Sequence, residues 1–82
     1  MNTQKKEGDF MKYGEILRML REKKELTQSE VAEYLKTTQS YYAQYERGVR
    51  QMPFERAIEL AKFYNVSIDY IAGLTNDKRK FW

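Results

Sequence analysis

The stretch LTQSEVAEYLKTTQSYYAQYERG, residues 26–48, decides how this chain folds. Thr27 followed three residues later by Glu30 spells a capping box, in which each side chain bonds the backbone amide of the other residue at the start of a helix. The box predicts a helix over residues 28–35, whose apolar residues are Val31, Ala32 and Leu35. A helix of two turns is too short to be stable alone, so these side chains are expected to pack against other parts of the chain.

A break of three residues, Lys36-Thr37-Thr38, separates this helix from another one predicted over residues 39–47. Thr38 is the expected N-cap of the second helix, and Gly48 suits the left-handed backbone position that follows a helix end. Two helices joined in this way form a helix–turn–helix, the geometry that sets the second helix into a DNA major groove.

Three further helices are predicted from the same kinds of signal. One runs over residues 10–23, where apolar side chains recur at intervals of three and four residues: Tyr13, Ile16, Leu17 and Leu20. Another starts near Pro53 and stops at Asn65, and its apolar side consists of Phe54, Ala57, Ile58, Ala61 and Tyr64. The last is capped by Ser67 and ended by Gly73, and it carries Ile68, Ile71 and Ala72. We therefore predict an all-α domain of five helices over residues 10–74, between a flexible polar tail at 1–9 and a charged tail at 75–82.

Composition narrows the classes of function. A chain of 82 residues with 41% hydrophobic residues is expected to form one small domain. It shows no apolar run long enough to cross a membrane and no signal peptide. Because cysteine and histidine are both missing, the usual metal ligands and nucleophile–base pairs cannot be assembled. We expect a cytoplasmic binding protein that is not an enzyme and holds no metal or cofactor, and its net charge of +3 is compatible with a polyanionic partner.

The helix predicted over residues 39–47 has two chemically different sides. At about 100° per residue, the tyrosines Tyr42 and Tyr45 fall on one side and polar residues fall on the other. The polar residues are Gln39, Ser40, Gln44 and Arg47. Glutamine can make paired hydrogen bonds with adenine, and serine can donate or accept at a base edge. This polar side is either a base-reading surface or a merely solvated one, and composition alone leaves both interpretations open.

The stretch from Leu26 to Arg50 resembles the phage repressor and Cro-like family of helix–turn–helix DNA-binding domains, the lambda-repressor-like fold, which is a five-helix bundle. The residues that carry the resemblance are Thr27-Gln28, Val31-Ala32, Leu35, Thr38-Gln39-Ser40 and Tyr45-Glu46-Arg47-Gly48. Downstream, FERAIELAKFYNVSIDYIAG at residues 54–73 resembles the last two helices of the family, so the resemblance covers about residues 11–74. The chain departs from the family at Lys36, where glycine is common, and at Tyr41, which is bulkier than the usual serine or threonine.

The resemblance implies a role for each matching position. The residues expected to read bases are Thr38, Gln39, Ser40, Tyr41 and Gln44. Those expected to bind phosphates are Gln28, Arg47 and Arg50. The expected dimer surface consists of Ile68, Ile71 and Leu74. Arg21 and Glu46 are expected to form a partly buried structural ion pair, since an unpaired carboxylate on the aromatic side of a helix would be costly.

The aromatic residues divide into two groups. Tyrosines on apolar faces are expected to pack in the core rather than to stack on bases, and these are Tyr13, Tyr42, Tyr45 and Tyr64. Phe81 and Trp82 at the C-terminal end either fold back onto the domain or belong to a surface for a protein partner.

Two functions from different classes remain. The first is a sequence-specific transcriptional regulator, by default a repressor, that binds a palindromic operator on double-stranded DNA as a homodimer, because one recognition helix reads only ~4–6 base pairs. The resemblance implies a cytoplasmic, nucleoid-associated protein of prokaryotic or phage type. The second is a protein-interaction module, such as an antitoxin or an anti-repressor partner, that docks another protein through the C-terminal KRKFW. The glutamines Gln28, Gln39 and Gln44 favour the first, since a pure interaction module has no reason to display them.

Overall fold

The computed structural model describes residues 12–79, and within that range the chain forms five α-helices and no strand. In chain order they are α1 Tyr13–Lys23, α2 Gln28–Tyr34, α3 Gln39–Arg47, α4 Phe54–Tyr64 and α5 Ile68–Ile71. The prediction of an all-α fold with five helices is confirmed. None of the helices in the described range is long and apolar enough to span a membrane. The predictions for the tail at residues 1–9 and for Phe81 and Trp82 fall outside the described residues.

The helix ends follow from local backbone chemistry. The Thr27 hydroxyl accepts a hydrogen bond from the Glu30 amide (3.1 Å), and the Glu30 carboxylate accepts one from the Thr27 amide (2.8 Å). The Thr38 hydroxyl caps α3 in the same manner. Gly48 (φ 71°) and Asn65 (φ 58°) take the left-handed conformation that ends α3 and α4. The predicted capping box, N-cap and helix terminators are therefore confirmed.

Two details differ from the sequence predictions. Lys12 precedes α1 as an extended N-cap (φ −77°, ψ 156°), so this helix begins at Tyr13 rather than at residue 10. In α4, Phe54 is 68% exposed although it was expected on the apolar side, whereas Leu60 is fully buried although it was not expected there. The core contacts α4 along the stripe that contains Leu60 and Tyr64, and the first turn of α4 extends beyond the core.

The core holds α1 directly against α3. Its most deeply buried large side chains are Leu17, Val31, Tyr42, Tyr45, Leu60 and Ile71. Gly14 of α1 faces the last turn of α3, where an added β-carbon would lie 2.8 Å from the carbonyl oxygen of Tyr45 and closer still to that of Glu46. The small side of α1 at Gly14 therefore sets how near α3 can approach, and with it how α3 is presented to solvent.

Candidate nucleic-acid interface

α3 turns its aromatic side to the core and its polar side to solvent. Tyr42 and Tyr45 are buried, as their helical angles predicted. The residues expected to read bases lie outside the core: Thr38, Gln39, Ser40 and Tyr41 are exposed, and Gln44 is half-buried. These five, called the reading residues below, are accessible from solvent.

Arg21 of α1 and Glu46 of α3 form a two-pronged ion pair. Arg21 Nε donates to Glu46 Oε2 (2.7 Å), and Arg21 Nη2 donates to Glu46 Oε1 (3.1 Å). The two side chains are 13% and 3% exposed, so solvent screens their attraction weakly. Burial by itself would raise the pKa of Glu46, but hydrogen bonds from Arg21 and Gln28 outweigh burial and hold the pKa below its ordinary value of 4.5. Glu46 is therefore negatively charged at neutral pH.

A chain of hydrogen bonds connects this ion pair to the reading residues. Gln28 Nε2 donates to Glu46 Oε1 (3.0 Å), and Gln39 Nε2 donates to Gln28 Oε1 (2.7 Å). A carboxylate can only accept, so Gln28 must turn its NH₂ group toward Glu46 and its carbonyl oxygen toward Gln39. The buried charge of Glu46 thereby sets the orientation of the exposed Gln39 amide, whose carbonyl oxygen and second N–H remain for an external partner.

An open hollow of about 410 Å³ lies beside this chain of hydrogen bonds, at the start of α2. It is lined by Arg21, Leu26, Thr27, Gln28, Ser29 and Gln39. Guanidinium, amide and hydroxyl groups are the donors that proteins direct at phosphate oxygens. The hollow therefore presents hydrogen-bond donors of the kind that the expected phosphate contact of Gln28 requires.

Arg50, in the loop after α3, lies against two of the reading residues. Its Nε donates to Gln44 Oε1 (3.1 Å), and its Nη1 donates to the Tyr41 hydroxyl (3.3 Å). The guanidinium carbon is 4.1 Å from the centroid of the Tyr41 ring. The backbone of Arg50 is held as well: the Tyr13 hydroxyl donates to the Arg50 carbonyl oxygen (2.6 Å), and this bond connects the loop to α1. Arg47, in contrast, is exposed in the last turn of α3.

The predicted dimer surface is only partly at the surface. Leu74 is 76% exposed, whereas Ile71 is 2% exposed in the single chain and belongs to the core, so Ile71 offers little surface to a second copy. Ile71 follows Ser67, the N-cap of α5, by four residues, and the short helix turns it inward. Ile68 is half-buried and lines an apolar groove of about 360 Å³, whose other apolar lining residues are Tyr13, Met52, Phe54, Ala57, Ile71 and Ala72.

The chain matches the helix-turn-helix family profile over residues 17–71, a span that contains all of α2, α3, α4 and α5. This chain belongs to the Cro/C1-type, lambda repressor-like helix–turn–helix family. Membership confirms the resemblance that residues 26–50 carry. It also confirms, from the nature of the family, the expectation that the chain is not an enzyme.

Three regulators of Bacillus subtilis (strain 168) are similar to this family member. It is 40% identical over 65 residues to the uncharacterized HTH-type transcriptional regulator YobD, covering 79% of this chain and 58% of that protein. It is 34% identical over 67 residues to the uncharacterized HTH-type transcriptional regulator YqaE, covering 80% and 58%. It is 34% identical over 70 residues to the HTH-type transcriptional regulator ImmR, covering 85% and 55%. The chain thus spans between half and two thirds of the length of the curated relatives it matches.

Three contributions to this family domain were missed by sequence reasoning. They are the close approach at Gly14, the attachment of Arg50 to the reading residues, and the hydrogen bond from Arg56 Nη1 to the Leu35 carbonyl oxygen (2.9 Å), which joins α4 to the end of α2. A glycine inside a helix costs about 1 kcal/mol relative to alanine, so Gly14 within an otherwise helical pattern was a usable signal for a packing requirement. The contacts of the two arginines cross between elements and carry no local signal.

Proposed function

We propose that this chain is a sequence-specific DNA-binding regulator of transcription, in which α3 enters the major groove and the reading residues contact base edges. The observation that carries the proposal is the hydrogen bond from Gln39 to Gln28 (2.7 Å), which holds a neutral amide in one orientation at the protein surface. A merely solvated glutamine loses rotamer freedom by such a contact and gains little. Family membership and the names of the relatives support the same function.

Phosphate contacts would position α3 on the duplex. Gln28 beside its hollow, the exposed Arg47, and the remaining donors of Arg50 are the groups assigned to this role. Residues 27–50 contain only three basic side chains, Lys36 being the third. With so few cations near α3, hydrogen bonds to bases must supply most of the discrimination between sequences.

We infer that two copies bind together to a palindromic operator. One recognition helix covers ~4–6 base pairs, which is too few for useful specificity, so two half-sites about one helical turn apart are expected. Leu74, Ile68 and the exposed Phe54 are the apolar side chains that support a contact between copies. Repression by steric occlusion at the operator is the default outcome, and the cytoplasmic nucleoid is where such a protein would act.

Selection of bound sequences from a pool of random duplexes tests the proposal with the full chain. We expect one half-site to be enriched as an inverted repeat. Gln39→Ala should weaken binding to that site by ~1–3 kcal/mol, while thermal stability and binding to random DNA stay nearly unchanged. Glu33→Ala, at an exposed position of α2 that belongs neither to the reading residues nor to the apolar groove, is the control and should leave the preference for the selected sequence unchanged.

Two results would contradict the proposed function. One is the recovery of no preferred sequence from the random pool. The other is an equal loss of affinity for selected and random duplexes in Gln39→Ala, since that would show that Gln39 does not read a base.

A further inference from the structure

Arg50 is held more firmly than a residue that only meets a phosphate needs to be. Its guanidinium is fixed by the Tyr41 ring, the Tyr41 hydroxyl and Gln44, and its carbonyl oxygen is fixed by the Tyr13 hydroxyl. A half-buried arginine gives up considerable rotamer freedom when it is held in this way. The contacts are therefore expected to serve a purpose beyond surface packing.

We propose that Arg50 is a positioning residue that determines which base Gln44 selects, a proposal that rests on the proposed reading of DNA by α3. Arginine carries five N–H donors and no acceptor, so the Gln44 atom that faces Arg50 must be the carbonyl oxygen. The NH₂ group of Gln44 is thereby turned away from Arg50. Gln44 meets DNA as a donor.

A glutamine held in this way prefers a base edge that accepts hydrogen bonds. The paired contact with adenine requires glutamine to donate and accept at once. The Gln44 carbonyl oxygen faces Arg50 and has one lone pair left, so acceptance from adenine N6 is disfavoured, whereas both N–H groups stay available. In the major groove guanine presents two acceptors, N7 and O6, and no donor. Guanine is therefore the base expected opposite Gln44.

Gln39 and Gln44 offer different hydrogen-bonding groups to DNA, because their side-chain amides contact different partners. Gln39 donates one N–H to Gln28, and its second N–H and its carbonyl oxygen remain available. It can therefore still donate and accept toward adenine. Gln44 directs its carbonyl oxygen at Arg50, so both of its N–H groups are available to donate to a base. The half-site is thus expected to contain an adenine contacted by Gln39 and a guanine contacted by Gln44.

The test measures base preference at every position of the half-site, by competition with duplexes that carry each of the four base pairs. Gln44→Ala identifies the position that Gln44 contacts, because preference is lost there. Arg50→Lys keeps the positive charge but lacks the planar fork that lies on Tyr41 and holds the Gln44 carbonyl. At the same position, this variant should reduce the preference for guanine over adenine about tenfold, while affinity for random duplexes stays within about twofold.

Arg47→Lys is the matched control, an arginine-to-lysine change three residues earlier, at the end of α3. It should lower the affinity for all duplexes about equally and leave base preference intact. The double variant Gln44→Ala/Arg50→Lys should show no more loss of preference than Gln44→Ala alone, because Arg50 acts through Gln44. Additive losses in the double variant would overturn the proposal.

Gln44→Glu provides a second route to a decision, even if Arg50→Lys fails to fold. One carboxylate oxygen would accept from Arg50 and the other would face the DNA as an acceptor, so preference should move from guanine to cytosine, whose N4 donates. Unchanged preference for guanine in this variant would overturn the proposal.

Other outcomes are equally decisive. Adenine at the position identified by Gln44→Ala would overturn the proposal, as would an Arg50→Lys variant that binds all duplexes more weakly with its base preference intact. That last result would make Arg50 a phosphate contact only. Failure of the unsubstituted chain to prefer any sequence would instead contradict the proposed function, so the two failures are distinguishable.

Discussion

At the scale of single residues, Glu46 connects stability to the orientation of the exposed glutamine at the start of α3. Its carboxylate accepts from Arg21 on one side and from Gln28 on the other, and Gln28 accepts from Gln39. Removal of one partner from a buried ion pair leaves the other charge without compensation, which is far more costly than loss of an exposed pair. Glu46 therefore affects both the free energy of unfolding and the placement of Gln39.

Glu46→Ala or Arg21→Ala should lower the free energy of unfolding by ~3–5 kcal/mol, more than removal of any other single charge in the described range. Urea denaturation measures this directly. Arg18→Ala is the matched control, because its ion pair with Glu22 has side chains that are 56% and 63% exposed. If the urea midpoints of Arg21→Ala and Arg18→Ala coincide, burial of the Arg21–Glu46 pair has no energetic consequence.

The lowered pKa of Glu46 also predicts how stability depends on pH. A carboxyl group with a lower pKa in the folded state contributes its full stabilisation above its ordinary pKa of 4.5, and this contribution is lost as the pH falls through the folded value. The unfolding free energy should therefore drop more steeply below about pH 4.5 in the unsubstituted chain than in Glu46→Gln. Denaturation at a series of pH values gives the unfolding free energy of both chains. If the two curves run parallel below pH 4.5, the ionisation of Glu46 does not contribute to stability.

At the scale of elements, the position of α3 depends on how closely α1 approaches it. Gly14 permits backbone contact with the last turn of α3, and the Tyr13 hydroxyl holds the loop beyond that turn. The turn between α2 and α3 adds a second constraint, since Lys36 adopts a left-handed conformation (φ 60°) there. The way α3 is presented to solvent thus depends on two tight backbone features, one near each end of the helix.

Gly14→Ala should destabilise the fold by ~1–3 kcal/mol, because the added methyl group meets backbone atoms of Tyr45 and Glu46 that cannot move aside as a side chain can. The sign of the change in stability is informative, because alanine is the better helix former by about 1 kcal/mol and helix propensity alone would make this variant more stable. Thermal and urea melts give the result, with Lys62→Ala at an exposed position of α4 as the control. A stabilised Gly14→Ala variant would show that the two helices can separate freely.

Lys36→Gly should stabilise the chain by ~0.5–1 kcal/mol, because glycine adopts a left-handed backbone without the clash that a β-carbon causes. Lys36→Ala removes the same charge and keeps the clash, so it separates the two effects. Equal stability of the glycine and alanine variants in denaturation experiments would mean that the backbone conformation of the turn is not the cause.

At the scale of the whole molecule, polar and apolar surfaces are carried by different elements. The reading residues belong to α3 and its N-cap, while the apolar groove is formed by residues of α1, α4, α5 and the loop before α4. Phe54 and Leu74 are the most exposed large apolar side chains in the described range. A contact between copies through this second surface would leave α3 of each copy accessible to DNA.

Leu74→Glu should weaken association between copies, because it places a charge on the proposed contact, while the stability of the single chain stays nearly unchanged at a side chain that is 76% exposed. Sedimentation equilibrium in the absence of DNA measures the association, so that neither added charge acts through DNA binding. Val49→Glu, at another exposed apolar residue, is the control and lies outside the proposed contact. Identical association of the Leu74 variant and the unsubstituted chain would exclude this surface.

Local sequence signals were enough to predict the five helices, most of their ends and the family. Capping boxes, N-caps and left-handed terminators act between residues no more than a few positions apart, so Thr27 with Glu30, and Gly48 alone, suffice to predict where backbone hydrogen bonding starts and stops. The alternation of aromatic and polar residues in α3 predicted which side faces solvent. The ion pair of Arg21 with Glu46 was expected from the family resemblance together with the cost of an unpaired carboxylate.

The contacts by which side chains orient one another cross between distant parts of the chain, so they follow from the packing of the helices. The Tyr13 hydroxyl meets the Arg50 carbonyl 37 positions away, and Gln28 meets Glu46 18 positions away. Such contacts depend on the distance between packed helices, which the close approach at Gly14 sets. The same packing buried Ile71 and left Phe54 exposed, since burial depends on where the neighbouring helices end. Hydrogen-bond polarity at Gln39 and Gln44 follows from these distant partners, so it can be read only once the helices are in place.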